Sequence, residues 1–251
     1  MNKDVTDKLL KDHQPEAIRT RLRQPPKTQN ISNAILGAID GCVTTFAIVS
    51  GAVGAGLSAP IALILGFSNL LADGFSMAVS NYESTMAGVD YVENIKKHEE
   101  QHIEQIPAGE REEIRQIFQQ KGFENEVLES IVDTITSDRE LWVNTMLMEE
   151  HGLQKTAPGP WKAALVTFTA FVALGAMPLA PLIVQPMDMH DQFFYSGCMA
   201  GLVFFTIGMF KSVVFGKPVI QAGLSTLFTG GLAASIAFLT GYLLRTTFAL
   251  V

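Results

Sequence analysis

DGCVTTFAIVSGAVGAGLSAPIALILGFSNLLAD, residues 40 to 73, begins and ends on aspartate and holds 32 residues between them without Asp, Glu, Lys or Arg. A bilayer core takes roughly 20 apolar helical residues, so this run is too long for one crossing. GAGLSAP at 54 to 60 interrupts it with Gly, Ser and Pro, which predicts two helices joined by a tight turn. Three more windows, Lys162 to Asp188, Asp191 to Lys211 and Lys217 to Arg245, enclose 25, 19 and 27 residues free of those charges. Five spans are therefore predicted, at 33–54, 60–81, 162–185, 193–212 and 219–245. The first of them follows some thirty polar residues, an order unlike that of a cleaved signal peptide.

Lys and Arg set the orientation, because cytoplasmic flanks hold them. Residues 1–30 carry seven, residues 81–160 carry seven, and Lys211 and Lys217 flank the turn before the last span. The turns at 54–60 and 186–192 carry none. The expected fold is thus an all-α integral membrane protein, five transmembrane helices with an acidic helical cytoplasmic insert between spans 2 and 3. Its parts are a cytoplasmic segment at 1–30, spans 1 and 2 at 31–81, the insert at 82–160, and spans 3 to 5 at 161–251. Both cysteines, Cys42 and Cys198, fall within spans and read as small core residues rather than a disulfide or metal pair.

Residues 81–160 hold 17 Asp and Glu against seven Lys and Arg, more than the whole chain's net charge of −7. Apolar residues nevertheless recur there at helical spacing. The second span should continue as one long helix to Ile106, where Pro107-Ala108-Gly109 ends it. A helix over 110–121 should stop at Gly122, and a further piece covers 124–136. Ser137-Asp138-Arg139-Glu140 fits a capping box for a last helix that runs to His151, with Gly152 as its stop. Gln154 to Pro160 then leads back to the membrane. On these helices Glu99 and His102, Glu110 and Glu113, and Met146 and Glu150 form pairs three or four residues apart, each on one helix face. Oxygens, one imidazole and one thioether together suit Fe(II), Mn(II) or Co(II). Spacing alone does not separate such a site from a solvated acidic face.

Asp40 and Asp73 pose a sharper problem. A charge in mid-bilayer costs about 2.5–3.5 kcal/mol on insertion scales and normally faces a cavity or partner on an ion or proton path. The competing reading is a protonated Asp sealing a helix contact, or an Asp40 that reaches cytoplasmic water. Asn69, Asp73 and Met77 recur every four residues as one stripe, and Thr44 lies one turn beyond Asp40, with Thr45 beside it. If the two stripes face each other, they could hold a partly dehydrated divalent cation and exchange it for protons. In the outer turn, Met187, Asp188, Met189, His190 and Asp191 read as a plain solvated loop, with a low-affinity exit site as the alternative. Gly51 to Gly56 and Gly230-Gly231 read as close-packing positions.

GAIDGCVTTFAIVSGAVGAG, LLADGFSMAVSNYES running into a long acidic helix, a Pro-centred turn with Glu three and six residues on, MLMEEHGL, and KPVIQAGLSTLFTGGLAASIAFLTGYLL together resemble the vacuolar iron transporter family over residues 31–248. The resemblance implies a five-span homodimer that moves Fe(II), Mn(II) and related ions such as Co(II) and Zn(II) out of the cytosol in antiport with protons. It implies an ion path at the dimer interface with Asp40 and Met77 on it, and a cytoplasmic metal-binding domain in which Glu99, Glu110, Glu113, Met146 and Glu150 fall on the family's motif. Two positions depart from the pattern. Asn69 stands where a Glu is expected, with Asp73 one turn along, and His102 stands where a Glu is usual. Imidazole ligates only while neutral, so affinity should drop below about pH 6.

The function expected is therefore a divalent metal exporter of iron and manganese homeostasis, with no prosthetic group and no enzymatic activity. Its partners are divalent ions, protons, the bilayer and a second copy of the chain, and its site is a bacterial inner membrane, or a vacuolar-type membrane in a eukaryote. Alternatives are a metal-gated channel, or a membrane metal sensor without proton coupling. A di-iron enzyme would need paired Glu-x-x-His elements, and only Glu99 to His102 has that spacing; H-E-x-x-H is absent. No G-x-x-x-x-G-K-[ST] loop provides for ATP, and so acidic an insert disfavours nucleic acid.

Overall fold

The computed structural model describes residues 3–23, 28–153, 159–184, 188–216 and 218–248. Lys217, Met187 and most of the 154–160 linker, residues 154–158, lie outside them. Among the described residues every regular element is helical: α1 (Lys3–Asp12), α2 (Pro15–Arg23), α3 (Thr28–Gly54), α4 (Ala59–Gln105), α5 (Pro107–Gln120), α6 (Asn125–Thr136), α7 (Arg139–Glu149), α8 (Pro160–Gly175), α9 (Ala180–Ile183), α10 (Met189–Phe215) and α11 (Val219–Phe248). Five helical stretches are long and apolar enough to cross a membrane: Asn30–Gly54, Ala59–Gln105, Pro160–Ile183, Met189–Ser212 and Val219–Phe248.

α3 is the centre of the bundle. Its Ile35, Ala38, Cys42 and Phe46 pack on Ala200, Val203, Phe204 and Ile207 of α10, while Val49 and Ala52 join Ala62 and Leu70 of α4 and Phe171 of α8. The approach to α8 is so close that a Cβ added at Gly37 would lie 2.4 Å from the Thr167 carbonyl oxygen, and one at Gly41 would lie 2.3 Å from that of Phe171. Without a hydrophobic driving force between helices in lipid, such small-residue contacts let backbones pack by dispersion.

α4 has 47 residues, about 70 Å at 1.5 Å per residue, and so extends well beyond a bilayer core. It carries Ala62, Gly66, Leu70 and Gly74 as a buried stripe every four residues, with α8 and the Leu179 turn against it. The neighbouring stripe, Asn69, Asp73 and Met77, stands about 100° round the helix and is only half-buried.

The sequence expectations differ from the structure at several ends. The third crossing is broken: α8 stops at Gly175, a 3-10 turn covers Met177–Leu179, and α9 follows, because Pro178 and Pro181 cannot donate to a continuous helical ladder. α10 begins at Met189, so Met189, His190 and Asp191 form its first turn rather than a loop, with Asp188 before it. Cys198 is exposed on α10, and only Cys42 is a core residue. A Cβ at Gly231 would meet open space, whereas Gly230 packs under the Phe204 ring. α5 starts at Pro107, the residue best suited to a first helical position. α7 is capped by Asp138, whose carboxylate accepts from the Glu140 and Leu141 N–H groups. Ser137 instead closes α6, its hydroxyl donating to the Thr134 carbonyl.

Candidate functional site

Two places hold the residues singled out in the sequence. In the bundle, Asp40 lies fourteen residues before the end of α3 at Gly54, and Asp73 fourteen residues after the start of α4 at Ala59. Antiparallel helices that share a turn therefore bring both carboxylates to one level, about 21 Å from that turn. They are near enough for their charges to interact, and each is half-buried. The Thr44 hydroxyl donates to the Asp40 carbonyl oxygen at 2.8 Å, which leaves its lone pairs as the only donor function toward a cation. Thr45 is fully buried, its Oγ1 without a hydrogen-bond partner. Met77 packs against the core formed by Val49, Leu70 and Phe171. One turn beyond it, Asn81 donates to the Thr167 hydroxyl and fixes this end of the stripe on α8.

The second place lies between α4, α5 and the end of α7. Buried Ile114, Leu128, Val132, Ile135, Trp142 and Met146 make an apolar core for these helices, and ion pairs tie their outer faces. Arg115 pairs with Glu129 at 2.7 Å and with Glu112, Arg111 with Asp133, Lys121 with Glu149, and Arg139 with Glu104. The Lys and Arg ion pairs of the described residues go to these carboxylates and to Glu93 and Glu100. Glu99 and Glu110 are left on the inner side, 4% and 1% exposed, with histidine as their ion-pair partner.

His102 Nδ1 stands 3.4 Å from Glu110 Oε1, and His151 Nε2 stands 3.1 Å from Glu99 Oε1 and 3.7 Å from Glu150 Oε2. Donor atoms of Glu99, His102 and Glu110 lie within 4.8 Å of one another, as do those of Glu99, Glu150 and His151. Around a cation with bonds near 2.1 Å, adjacent ligands are about 3.0–3.4 Å apart and opposite ones about 4.2 Å, so the spacing suits a shared divalent ion. Glu99 Oε2 and Glu110 Oε2 are buried without a hydrogen-bond partner. Burial first, then the charges of Glu113 and Glu99, push the Glu110 carboxyl up to about 7. Glu113 is raised by burial and by Glu150 and Glu99, although its residue is exposed overall.

The structure thus gathers Glu99, His102, Glu110, Glu113 and Glu150 of the expected set, and takes Met146, fully buried, into the apolar core. His151 is the residue that helical spacing missed. α7 ends at Glu149, Glu150 is its cap, and His151 N–H reaches back five residues to the Met146 carbonyl, with Gly152 at φ +65°. That widened last turn swings the ring to Glu99. The only signal in the sequence was a histidine between Glu150 and a helix-stopping glycine. Among the described residues, both groups of three or more such donors lie here, and His190 joins neither.

The model of the VIT family matches residues 31–242. The chain is 34% identical to a vacuolar iron transporter of Toxoplasma gondii, over 96% of this chain and 81% of the relative. It is 30% identical to the vacuolar iron transporter of Plasmodium falciparum, over 86% and 82%. To vacuolar iron transporter 1 of Arabidopsis thaliana it is 28% identical, over 83% of each chain.

Proposed function

From the premise that this chain belongs to the VIT family, we propose that it transports divalent iron across a membrane and serves iron homeostasis, with Mn(II) as a second substrate. Cations leave the cytosol and protons return. The N-terminal segment and the acidic helices face the cytosol, as the distribution of Lys and Arg supports. We keep the bacterial inner membrane as its site; the vacuole in the relatives' names is the alternative, and the direction out of the cytosol is the same for both. No enzymatic reaction is proposed.

The observation that carries this reading is the pair Asp40 and Asp73, level on adjacent apolar helices, yet only half-covered in one chain. A carboxylate left against lipid is costly, so a second copy that covers them and shares the path completes the site. The cation passes from Glu99, His102, Glu110, Glu113 and Glu150, with Met146 behind them, to a path lined by Asp40, Thr44, Asn69, Asp73 and Met77. Two neighbouring carboxylates repel, and either a cation or a proton relieves that repulsion. The two therefore compete for the same oxygens, and the competition is the coupling.

Fe(II) and Mn(II) flux into proteoliposomes carrying an internal pH dye tests the proposal, with wild type and Asp40→Asn compared. Metal flux with opposed proton movement, lost in the variant, is the expected outcome. Flux without proton movement would make the protein a channel, and metal binding without flux a sensor.

A further inference from the structure

The two groups of donors share Glu99 and differ in what flanks it, His102 with Glu110 on one side and His151 with Glu150 on the other. We propose that His151 is a ligand of the cation held by Glu99 and Glu150. With His102, it biases these helices toward ions that favour nitrogen, Zn(II), Ni(II), Co(II) and Fe(II), over the oxygen-seeking Mn(II), Mg(II) and Ca(II). The inference rests on the reading of the acidic helices as the place where cations are caught.

Three observations support it. His151 Nε2 lies 3.1 Å from one oxygen of Glu99, a cis-ligand distance, and 3.7 Å from one of Glu150, between the cis and trans values. The second oxygen of Glu99 is buried without a partner although the residue is only 4% exposed, and the same holds for Glu110 at 1%. A histidine serving only as a hydrogen-bond partner for Glu99 leaves that oxygen orphaned, whereas a cation between the carboxylates would satisfy it. Finally, the nearby arginines and lysines are committed to Glu104, Glu112, Glu129, Asp133 and Glu149 on the outer face. Buried charges left without a partner are strongly destabilising, and among the described residues these carboxylates meet imidazoles and no Arg or Lys.

Ligand type decides which cation that is. Carboxylates alone suit Mn(II), Mg(II) and Ca(II), and each imidazole raises the preference for the later transition ions. One imidazole on each side of Glu99 gives both positions that preference.

The test uses the full-length protein in detergent, titrated with Co(II), Ni(II) and Mn(II), as wild type, His151→Leu, His151→Gln and Glu110→Gln. Helix content by circular dichroism confirms that each variant is folded. In His151→Leu the Ni(II)-to-Mn(II) affinity ratio should fall about tenfold or more, the lower end of what is lost even when a hydrogen-bond partner of a metal ligand is removed. The visible spectrum of the bound Co(II) should shift in the same variant. Gln can keep a hydrogen bond to Glu99 but supplies no imidazole, so His151→Gln should show the same loss. An unchanged ratio and Co(II) spectrum in His151→Leu overturns the proposal, as does a wild-type ratio in His151→Gln, which makes His151 a structural partner. If wild type shows no saturable binding, or Glu110→Gln binds as wild type does, the cation-catching reading itself fails and takes the proposal with it.

Discussion

Titrating wild-type protein and a Glu110→Gln variant with Mn(II) from pH 8 down to about pH 6 isolates one proton in the metal-binding equilibrium. The Glu110 carboxyl, buried and facing Glu113 and Glu99, is pushed up to about 7. A cation that binds through it must displace whatever proton is there, so apparent affinity scales as the inverse of 1 + 10 raised to the power (7 − pH). The factor amounts to about tenfold between pH 8 and pH 6, and to about half a proton released per ion at pH 7. A carboxyl at the ordinary value would change affinity by about 3% over the same range. Calorimetry in two buffers of different ionisation enthalpy counts the protons directly. Wild type should release about half a proton more than Glu110→Gln at pH 7 and lose about tenfold more affinity on acidification. Equal proton release in the two proteins, with parallel pH profiles, refutes the placement of Glu110 among repelling carboxylates.

The same group predicts a stability profile. Its folded value is raised from 4.5 to about 7, so the folded state binds more protons than the unfolded state between those values. The contribution is full below 4.5 and lost as pH rises through about 7. With chelator present, unfolding followed by Trp142 emission in a Trp161→Phe background should therefore shift to lower temperature across that window, and added Mn(II) should restore more at high pH than at low. A rising melting temperature would contradict it. Asp138→Ala should cost about 1 kcal/mol in the same transition by removing the cap of α7, while Ser137→Ala changes it by far less; the reverse order would restore Ser137 as the cap. Gly41→Val places a Cβ 2.3 Å from the Phe171 carbonyl oxygen. Overpacking of that kind costs about 1–3 kcal/mol or more, so this variant should lower the thermal stability of the detergent-solubilised protein. Gly88→Ala, where a Cβ meets nothing within 4 Å inside a helix, should not lower it and should raise it by up to about 1 kcal/mol through helix propensity.

How far the fold was legible depends on the scale of the signal. Charge-free runs of membrane-span length carry the crossings, because a charge in lipid costs more than helix propensity can offset. Within about four residues they locate both ends of four of them and the start of the second, whose helix continues without a break to Gln105. The long helix from Ala59 to Gln105 was readable for a similar reason, since no breaker interrupts it before Pro107. The broken end of the third crossing was less so: Pro178 and Pro181 stood in the sequence, but an apolar window reports length and not continuity. The capping choice between Ser137 and Asp138 turned on one residue of register, which two adjacent cap-forming side chains leave open.

The sequence by itself determined that the chain has five apolar crossings, that carboxylates sit within the first two, and that an acidic helical stretch separates the second crossing from the third. Each follows from composition and from spacing along a single helix, where the 3.6-residue period tells which side chains share a face. Only the tertiary structure decided that Asp40 and Asp73 come level, that Arg and Lys neutralise one side of the acidic helices and leave Glu99 and Glu110 buried on the other, and that His151 turns in to join them. Those relations depend on how separate helices meet and on the widened last turn of α7. Periodicity describes one helix at a time, so contacts between helices, and residues beyond a helix end, lie outside what it can specify.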